Sequence, residues 1–396
     1  SNGLEKRPKL RFPGFDEPYK QCRIGDIYAE RSQRGASDME LLSVTMNDGV
    51  MPRSEIEGKD NSSEDKSNYK VVLTGDMVYN SMRMWQGANG ISPCDGIVSP
   101  AYTVLMPKIP ISNGYFAAFF KSPNLINEFR KNSQGMTSDT WNLKYPQIET
   151  IKVCIPALSE QNRVADMLRT LERRIAKQAQ LVDNLKKYKR GVMQRIFRQL
   201  PSQNGTEWTC VRLGDIFKKV SRRNTDGVIK NVITNSAEYG LIPQRDFFDK
   251  DIAVDGNTAN YYVIENGDFV YNPRKSNSAP YGPFNRYTLS EQGIISPLYT
   301  CLVLQADISP SYLAWYFKSD AWYRYIYDNG SQGVRHDRVS MTDDLLMGIP
   351  VMYPSHVKQL LYADILDMVE ARLQATQKTL DLLSKTRDGY MRQLFI

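Results

Sequence analysis

The chain has 396 residues, of which 41% are hydrophobic and 24% charged, and its formal net charge is +7. These proportions are typical of a globular protein with enough residues for two ordinary cores, and they exclude a disordered or membrane-embedded chain. No stretch approaches the ~18 apolar residues of a transmembrane helix, and the first residues lack a signal peptide's apolar region. We therefore expect a cytoplasmic protein.

Cysteine and histidine usage argues against a metal centre. The five cysteines are scattered without any C-x-x-C pair, and the chain has only two histidines, His336 and His356. Zinc sites need several such ligands at short spacing, so we predict reduced thiols and no metal. The positive net charge favours a polyanionic partner, but only weakly.

A long internal repeat dominates the sequence. Strings from the first half return in the same order in the second, 189 residues later at first and 198 later at the end. The clearest pairs are 22–28 with 211–217, 75–80 with 267–272, 97–103 with 294–300, 115–122 with 312–319, and 191–197 with 389–395. This period is too long for a solenoid and indicates a duplicated unit of domain plus helix. We therefore predict a pseudo-twofold molecule that presents two similar surfaces.

Residues 1–158 and 209–354 are predicted to be the two globular copies. Each mixes short β-rich runs with turns and contains one aromatic helix, around 114–131 in the first copy and 311–327 in the second. The predicted strands are 69–73, 77–79, 102–106, 261–264 and 299–304. The fold class is therefore α+β in both copies.

Residues 159–198 are predicted to form one long helix of roughly 58 Å, with Ser159 as its N-cap and Glu160 in its first turn. Apolar residues recur at the three-, four- and seven-residue intervals of a heptad seam. The seam includes Leu168, Leu171, Ile175, Val182 and Leu185. Residues 199–208 follow as a linker by composition.

Residues 355–396 repeat that helix in the same register. The corresponding seam residues, each 198 positions later, are Leu366, Val369, Leu373, Leu380 and Leu383. Matching seams favour a coiled coil in which the two helices bury each other's apolar faces. The alternative is that each seam packs on its own globular copy.

The sequence contains no recognisable catalytic constellation. An adenine methyltransferase needs an N/D-P-P-Y/F segment, and Asn272-Pro273-Arg274 lacks the second proline and the aromatic residue. A metal-dependent nuclease needs a P-D dipeptide before E-x-K, and the chain has no P-D; it has no P-loop either. We therefore predict a protein that is not an enzyme.

Two loops at equivalent points of the repeat carry the candidate DNA-reading residues. Arg pairs bidentately with guanine, Asn and Gln pair with adenine, and Lys or Ser suits phosphate. The first loop offers Asn80, Arg83, Trp85 and Gln86, and the second offers Asn272, Arg274, Lys275 and Asn277. A solvated hairpin tip explains either loop alone, but such a loop in both copies makes recognition an equal alternative.

A second pair of aligned loops, 134–141 and 332–339, shares its Gln-Gly start and an aspartate but differs in the neighbouring residues. The candidates there are Ser138, Asp139, Thr140, Gln332, Arg335, His336 and Arg338. Shared frames with altered tips indicate two readers of different sequences. Basic clusters at 31–34 and 218–223 suit phosphate contacts, although such clusters are often only solvated.

The chain resembles the specificity (S) subunit of type I restriction–modification systems. The resemblance lies in Ile155-Pro156-Ala157-Leu158-Ser159-Glu160-Gln161-Asn162-Arg163-Val164 at the start of the first long helix, and in the duplicated Gly-Asp and Ser-Pro-x-Tyr strings. It covers essentially the whole chain. The second copy departs from it, because Lys358 replaces the glutamate and His356 intrudes.

The resemblance implies two DNA-recognition domains that each read half of a bipartite target, separated by antiparallel helices that set the spacing. It also implies two modification (methyltransferase) subunits docked on those helices, and restriction (translocase/nuclease) subunits beyond them. S-adenosylmethionine, ATP and Mg would bind to those partners and not to this chain. The alternative function is a non-catalytic tandem coiled-coil scaffold for protein interactions, which DNA binding that weakens steeply with salt would exclude.

Overall fold

The computed structural model describes residues 7–35, 38–46, 48–58, 60, 62–137, 141–246, 258–330 and 338–395. The chain divides into two compact units. The first unit is Ser1–Gln180 with Gln377–Ile396, and the second unit is Leu181–Thr376. Each unit therefore contains one globular copy together with part of each long helix.

The first unit is built from short strands and short helices. Its strands are β1 (Lys20–Arg23), β2 (Tyr28–Glu30), β3 (Leu42–Thr45), β4 (Gly49–Pro52), β5 (Lys70–Val72), β6 (Met77–Asn80), β7 (Asn89–Ile91), β8 (Gly96–Val98), β9 (Tyr102–Pro107) and β10 (Lys152–Ile155). Its helices are α1 (Ile24–Ile27), α2 (Asn113–Phe119), α3 (Pro123–Asn132) and α4 (Tyr145–Ile148), with 3₁₀ turns at Arg53–Glu55 and Met84–Gln86.

The first long helix is α5 (Leu158–Gln194), which continues through a π-helical turn, Arg195–Gln199. The strands that follow are β11 (Thr209–Arg212), β12 (Phe217–Val220), β13 (Ile233–Ser236), β14 (Gly240–Pro243), β15 (Tyr262–Ile264), β16 (Phe269–Tyr271), β17 (Phe284–Arg286), β18 (Gly293–Ile295), β19 (Thr300–Leu304) and β20 (Pro350–Tyr353). The remaining helices are α6 (Leu200–Gln203), α7 (Leu213–Ile216), α8 (Pro310–Lys318), α9 (Tyr323–Asn329), α10 (Asp343–Met347) and the second long helix, α11 (His356–Gln393), with 3₁₀ turns at Gly205–Glu207 and Gln244–Asp246.

The two units share one strand topology. Each has a four-stranded antiparallel sheet, in the order β2-β9-β6-β7 in the first unit and β12-β19-β16-β17 in the second. Each also has three antiparallel pairs, which are β1-β10, β3-β4 and β5-β8 in the first unit and β11-β20, β13-β14 and β15-β18 in the second. The duplication predicted from the sequence is therefore present strand by strand.

The repeated Gly-Asp strings have a local structural cause. Gly75 and Gly267 have φ values of +91° and +99°, a conformation that favours glycine. The next residue, Asp76 or Asp268, accepts a backbone hydrogen bond from Leu73 or Glu265 at 2.9 Å and pairs with Arg31 or Arg222. The motif therefore closes the turn that starts β6 and β16.

The single aromatic helix predicted in each copy is wrong, because each is two helices. In the first unit α2 ends at Phe119 and α3 begins at Pro123, whose N-cap Ser122 accepts from the Leu125 N–H. Proline at the first helical position disfavours a helical conformation at the residue before it. In the second unit α8 ends at Lys318 and α9 begins at Tyr323.

A glutamine at the start of each long helix explains part of the signature string. Gln161 donates to the carbonyl of Pro156 at 2.9 Å and accepts from the Ser112 N–H at 3.0 Å. Gln359 makes the same two contacts, with Pro354 at 2.9 Å and Ser309 at 2.8 Å. The buried amide thus ties the long helix to the start of α2 or α8. The first helix begins at Leu158, one residue before the predicted start, so the predicted Ser159 N-cap is wrong.

The two long helices meet within each unit with opposite directions. In the first unit Val164 and Leu168, near the start of α5, share a core with Leu394 and Phe395, just beyond α11. In the second unit Ile196 and Phe197 share a core with Ala363 and Leu366, near the start of α11. The outer ends of the seams thus pack on the globular copies.

The inner seam residues are less exposed than most of their neighbours along each helix. In the first unit these are Leu171, Ile175, Leu380 and Leu383, and in the second unit Val182, Leu185, Val369 and Leu373. An ion pair between Lys189 of α5 and Glu370 of α11, at 2.8 Å, shows that the helices lie side by side in the second unit. Both packing alternatives therefore operate, each over a different part of the seam.

Candidate nucleic-acid interface

The loop after β6 in the first unit presents polar side chains on a fixed backbone. The Asn80 side-chain oxygen accepts from the Met82 N–H at 3.0 Å, and Arg83 and Met82 are exposed. The 3₁₀ turn that follows is anchored by Met84, which is fully buried. Trp85 and Gln86 are half-buried on the same turn. Because Met84 anchors the turn, these side chains are held in place between the end of β6 and the start of β7.

The second candidate segment of this unit lies against that loop. The Leu143 N–H donates to the Ser81 carbonyl at 2.9 Å. The Trp85 and Trp141 rings meet edge to face at 5.2 Å, and the Arg130 guanidinium lies 5.7 Å from the Trp141 ring. The described parts of the two loops therefore pack together through an aromatic pair, with the Arg130 cation beside it.

The equivalent loop after β16 in the second unit repeats the local geometry. The Asn272 side-chain oxygen accepts from the Arg274 N–H at 3.0 Å, as Asn80 does in the first unit. The Asn272 N–H donates to the Pro283 carbonyl at 2.9 Å, which closes the loop. Gly282 has φ +86°, and a Cβ there would lie 2.0 Å from the Asn272 carbonyl oxygen. Only glycine permits this closure.

The second candidate segment of this unit also reaches its loop. The Val339 N–H donates to the Pro273 carbonyl at 2.9 Å, matching the Leu143–Ser81 bond, and Arg274 and Arg338 form an antiparallel backbone bridge. Arg274 and Asn277 are exposed, whereas Lys275 and Arg338 are half-buried. Two arginines therefore lie opposite each other on adjacent chain segments.

Tyr299 lies close enough to both of these arginines for their charges to affect its pKa. Burial raises the pKa of the Tyr299 hydroxyl, and the charges of Arg274 and Arg338 partly oppose that rise. The hydroxyl also interacts with Thr234. Tyr299 belongs to the repeated Ser-Pro-x-Tyr string, so this string ends beside the candidate reading loop.

Six of the predicted site residues lie outside the residues that the structure describes. They are Ser138, Asp139, Thr140, Gln332, Arg335 and His336. Their roles remain predictions.

The basic clusters suggested for phosphate contact are largely engaged with the protein itself. Arg31 pairs with Asp76 at 2.6 Å and Arg222 pairs with Asp268 at 2.8 Å. Arg34 donates to the Asn68 side chain at 2.6 Å and Arg223 to the Asn260 side chain at 2.9 Å. These arginines lie just after β2 or β12 and bond to neighbouring turns. Asp76 and Asp268 therefore already balance the charges of Arg31 and Arg222.

Within the described residues, no group of His, Cys, Asp and Glu side chains could hold a metal ion. None of the five cysteines forms a disulfide, and burial raises the pKa of Cys22 to about 11 and of Cys301 to about 12. Such thiols are poor nucleophiles near neutral pH. None of the described helices is long and apolar enough to cross a membrane.

No family model matches the chain, so the comparison with known proteins rests on the fold. The type I restriction–modification S subunit of M. genitalium superposes with a TM-score of 0.58 at 14% identity, over 98% of this chain and 99% of that one. The HsdS subunit of Thermoanaerobacter tengcongensis gives 0.51 at 15%, over 99% of both chains. A chain from a study of complex assembly and conformational transition in a type I R-M system gives 0.56 at 16%, over 98% and 99%.

This chain has the fold of a type I S subunit. The S-subunit fold includes both α+β units and both long helices, so the fold predicted from the sequence is confirmed.

Some residues that pack against or support these loops were not among the predicted site residues. Arg130 and Trp141 in the first unit, and Asn235 and Asn285 in the second, were not predicted. The repeat held a usable signal for the last two, because β13 and β17 carry asparagine where β3 and β7 carry Val44 and Gly90. For Arg130, helical spacing alone does not reveal the contact with Trp141.

Proposed function

We propose that this chain is the DNA sequence-recognition subunit of a type I restriction–modification complex, with each unit reading one half of a bipartite target. One observation carries the proposal. In both units the segment that follows α3 or α9 hydrogen-bonds to the residue after the strand-end asparagine, through Leu143 with Ser81 and Val339 with Pro273, while the side chains on the loops differ. A shared frame with different tips suits two readers of different half-sites.

In this proposal exposed and half-buried polar side chains of these loops contact DNA. Arg83, together with the neighbouring Gln86, would read one half-site, and Arg274 with Lys275 and Asn277 would read the other. Trp85 and Trp141 would shape the first reading surface. The chain itself would do no chemistry: methyl transfer from S-adenosylmethionine and ATP- and Mg-dependent cleavage would belong to partner subunits in the cytoplasm.

The second long helix has a surface suited to a modification subunit. Val357, Leu361 and Met368 are more than half exposed in the second unit. They are four and seven residues apart, which places them on one face of α11. We propose that this face docks a methyltransferase partner.

Methylation mapping tests the whole proposal. The chain would be co-expressed with the modification subunit encoded beside it, and methylated adenines would be located in the host DNA. A split motif with two fixed half-sites and a constant gap is the expected result. A soluble complex that methylates without sequence preference would contradict the proposal.

Salt dependence separates DNA reading from protein scaffolding. Binding of the purified complex to duplex DNA should weaken steeply as salt rises, because phosphate contacts release counterions. A scaffold that binds proteins through the same loops would show no retention of DNA at low salt.

A further inference from the structure

The two units differ in what lies beneath their reading loops. In the second unit β13 carries Asn235 and β17 carries Asn285. The matching positions in the first unit, by strand register, are Val44 of β3 and Gly90 of β7. The backbone frame is therefore shared and its interior chemistry is not.

The asparagines of the second unit form one continuous hydrogen-bond network. The Asn285 amide donates to the Asn235 side-chain oxygen at 2.8 Å and to the Ser236 carbonyl at 3.0 Å. The Asn235 amide donates to the Val270 carbonyl at 2.9 Å, and the Asn272 amide donates to the Asn235 carbonyl at 3.3 Å. The three side chains are no more than 6% exposed. Water cannot easily replace these bonds, so the network holds β13 rigidly against β16 and the loop after it.

The network ends on the reading loop. Asn272 uses its amide to reach Asn235 and its side-chain oxygen to accept from the Arg274 N–H at 3.0 Å. The Arg274 backbone is thus held by the buried Asn272 side chain, which is itself held by the backbone carbonyl of Asn235. A displacement of Asn235 therefore displaces the start of the Arg274 side chain.

The first unit cannot build this network. Val44 lies in an apolar cluster with Val78 and Val104. At Gly90 a Cβ would lie 2.7 Å from the Gly49 Cα, so no larger side chain fits without movement of the backbone. The network is a feature of one reader only.

We propose that Asn235 and Asn285 are positioning residues that fix the base preference of the second unit without contacting DNA. Bidentate reading of a base requires the arginine to be placed to within a fraction of an ångström. The Asn235 and Asn285 side chains hold β13 against β16 and thereby place the Asn235 backbone carbonyl to which Asn272 bonds. This inference rests on the proposed function.

The test compares Asn235→Ala with Asn224→Ala in the co-expressed complex. Asn224 is a buried asparagine of the same unit whose side-chain amide bonds to the backbone N–H and carbonyl of Ile229. Both variants would be used to select duplexes from a randomised library, and the selected sequences would be read out base by base. Thermal unfolding of each variant gives the stability lost.

With Asn235→Ala we expect base preference to fall about tenfold at positions of one half-site, the size of one lost bidentate contact. The other half-site should keep its preference, and Asn224→Ala should keep both at a comparable loss of stability. Unchanged preference in folded Asn235→Ala would overturn the inference.

A second variant keeps the inference testable if Asn235→Ala does not fold. Asn285→Ala removes the partner of the Asn235 side-chain oxygen but leaves the Asn235 bond to Val270, so it should fold and blur the same half-site to a smaller extent. If the unmodified complex selects a bipartite sequence and neither variant alters it, only the positioning role fails. If the unmodified complex selects no sequence, the proposed function fails and the inference with it.

Discussion

Lys189 of the first long helix and Glu370 of the second form an ion pair of 2.8 Å within the second unit. Burial raises the pKa of the Glu370 carboxyl, but the hydrogen bond and charge of Lys189 outweigh burial and hold that pKa below its ordinary value of 4.5. A depressed carboxyl pKa adds stability above the unfolded-state value, and that stability is lost as the pH falls through the folded-state value. The pKa of Glu370 therefore depends on the two long helices lying side by side.

We predict a coupling of about 0.5–1 kcal/mol between Lys189→Met and Glu370→Gln in a double-mutant cycle near neutral pH. The coupling should vanish in acid, once the carboxyl is protonated. Denaturant unfolding at both pH values measures it. A coupling that persists in acid would mean that packing, and not charge, joins the two side chains.

We predict that Leu171→Asp lowers the free energy of unfolding of the first unit by about 2–4 kcal/mol, because it puts a charge into the half-buried seam. It should also weaken capture of the modification subunit. Leu382→Asp is the control, since Leu382 is 64% exposed in the same unit. Equal behaviour of the two variants would remove Leu171 from the packed seam.

We predict that Arg11→Met destabilises the first unit by about 3 kcal/mol, because it leaves a buried carboxylate unpaired. Glu160 is 1% exposed and accepts two bonds from Arg11, at 2.8 and 2.7 Å. The matched control is Lys358→Met, which removes the exposed pair between Lys358 and Glu207 at the equivalent helix start. That change should have little effect on thermal unfolding. A similar loss in both variants would contradict the difference in burial.

We predict that Arg274→Ala weakens binding to one half-site by about 1–3 kcal/mol and relaxes its base preference. Titration of matched duplexes, each altered in one half-site, measures this. Arg324→Ala provides the control, because Arg324 is an exposed arginine of the same unit on α9. Affinity and preference equal to those of the unmodified chain would exclude Arg274 from base reading.

Much of the fold could be predicted because the chain repeats itself. The repeat locates both globular copies, and the seam spacing locates α5 and α11 to within a few residues of Leu158–Gln194 and His356–Gln393. The break between α2 and α3 was missed, because the aromatic run continues through Ser122 and Pro123 and hides the stop signal that proline carries. The hydrophobic pattern therefore predicts one helix where the Ser122-Pro123 start signal divides it into two.

The candidate site was less predictable. Loop chemistry selected Arg83 and Arg274. The structure places Arg274 opposite Arg338 of the second segment, and it places Trp85, from the loop that carries Arg83, against Trp141. Loop chemistry could not foresee that Arg31 and Arg222 are ion-paired to Asp76 and Asp268, because those partners lie 45 and 46 residues away in sequence. It also could not foresee the role of Asn235, since a buried amide looks like any polar strand residue until its partners are placed.

The first unit is assembled from two distant stretches of chain, while the second is one continuous stretch, 181–376. The Phe395 ring packs on Tyr115 and Phe119 at 5.3 and 5.4 Å, and Leu10 donates its N–H to the Gln393 carbonyl at 3.0 Å. During synthesis the second unit can therefore finish folding first, although its twin is translated earlier. Until residues 377–395 leave the ribosome, Tyr115 and Phe119 of the first unit lack the Phe395 ring that packs on them. Two units of the same strand topology can thus mature in the reverse of their order along the chain.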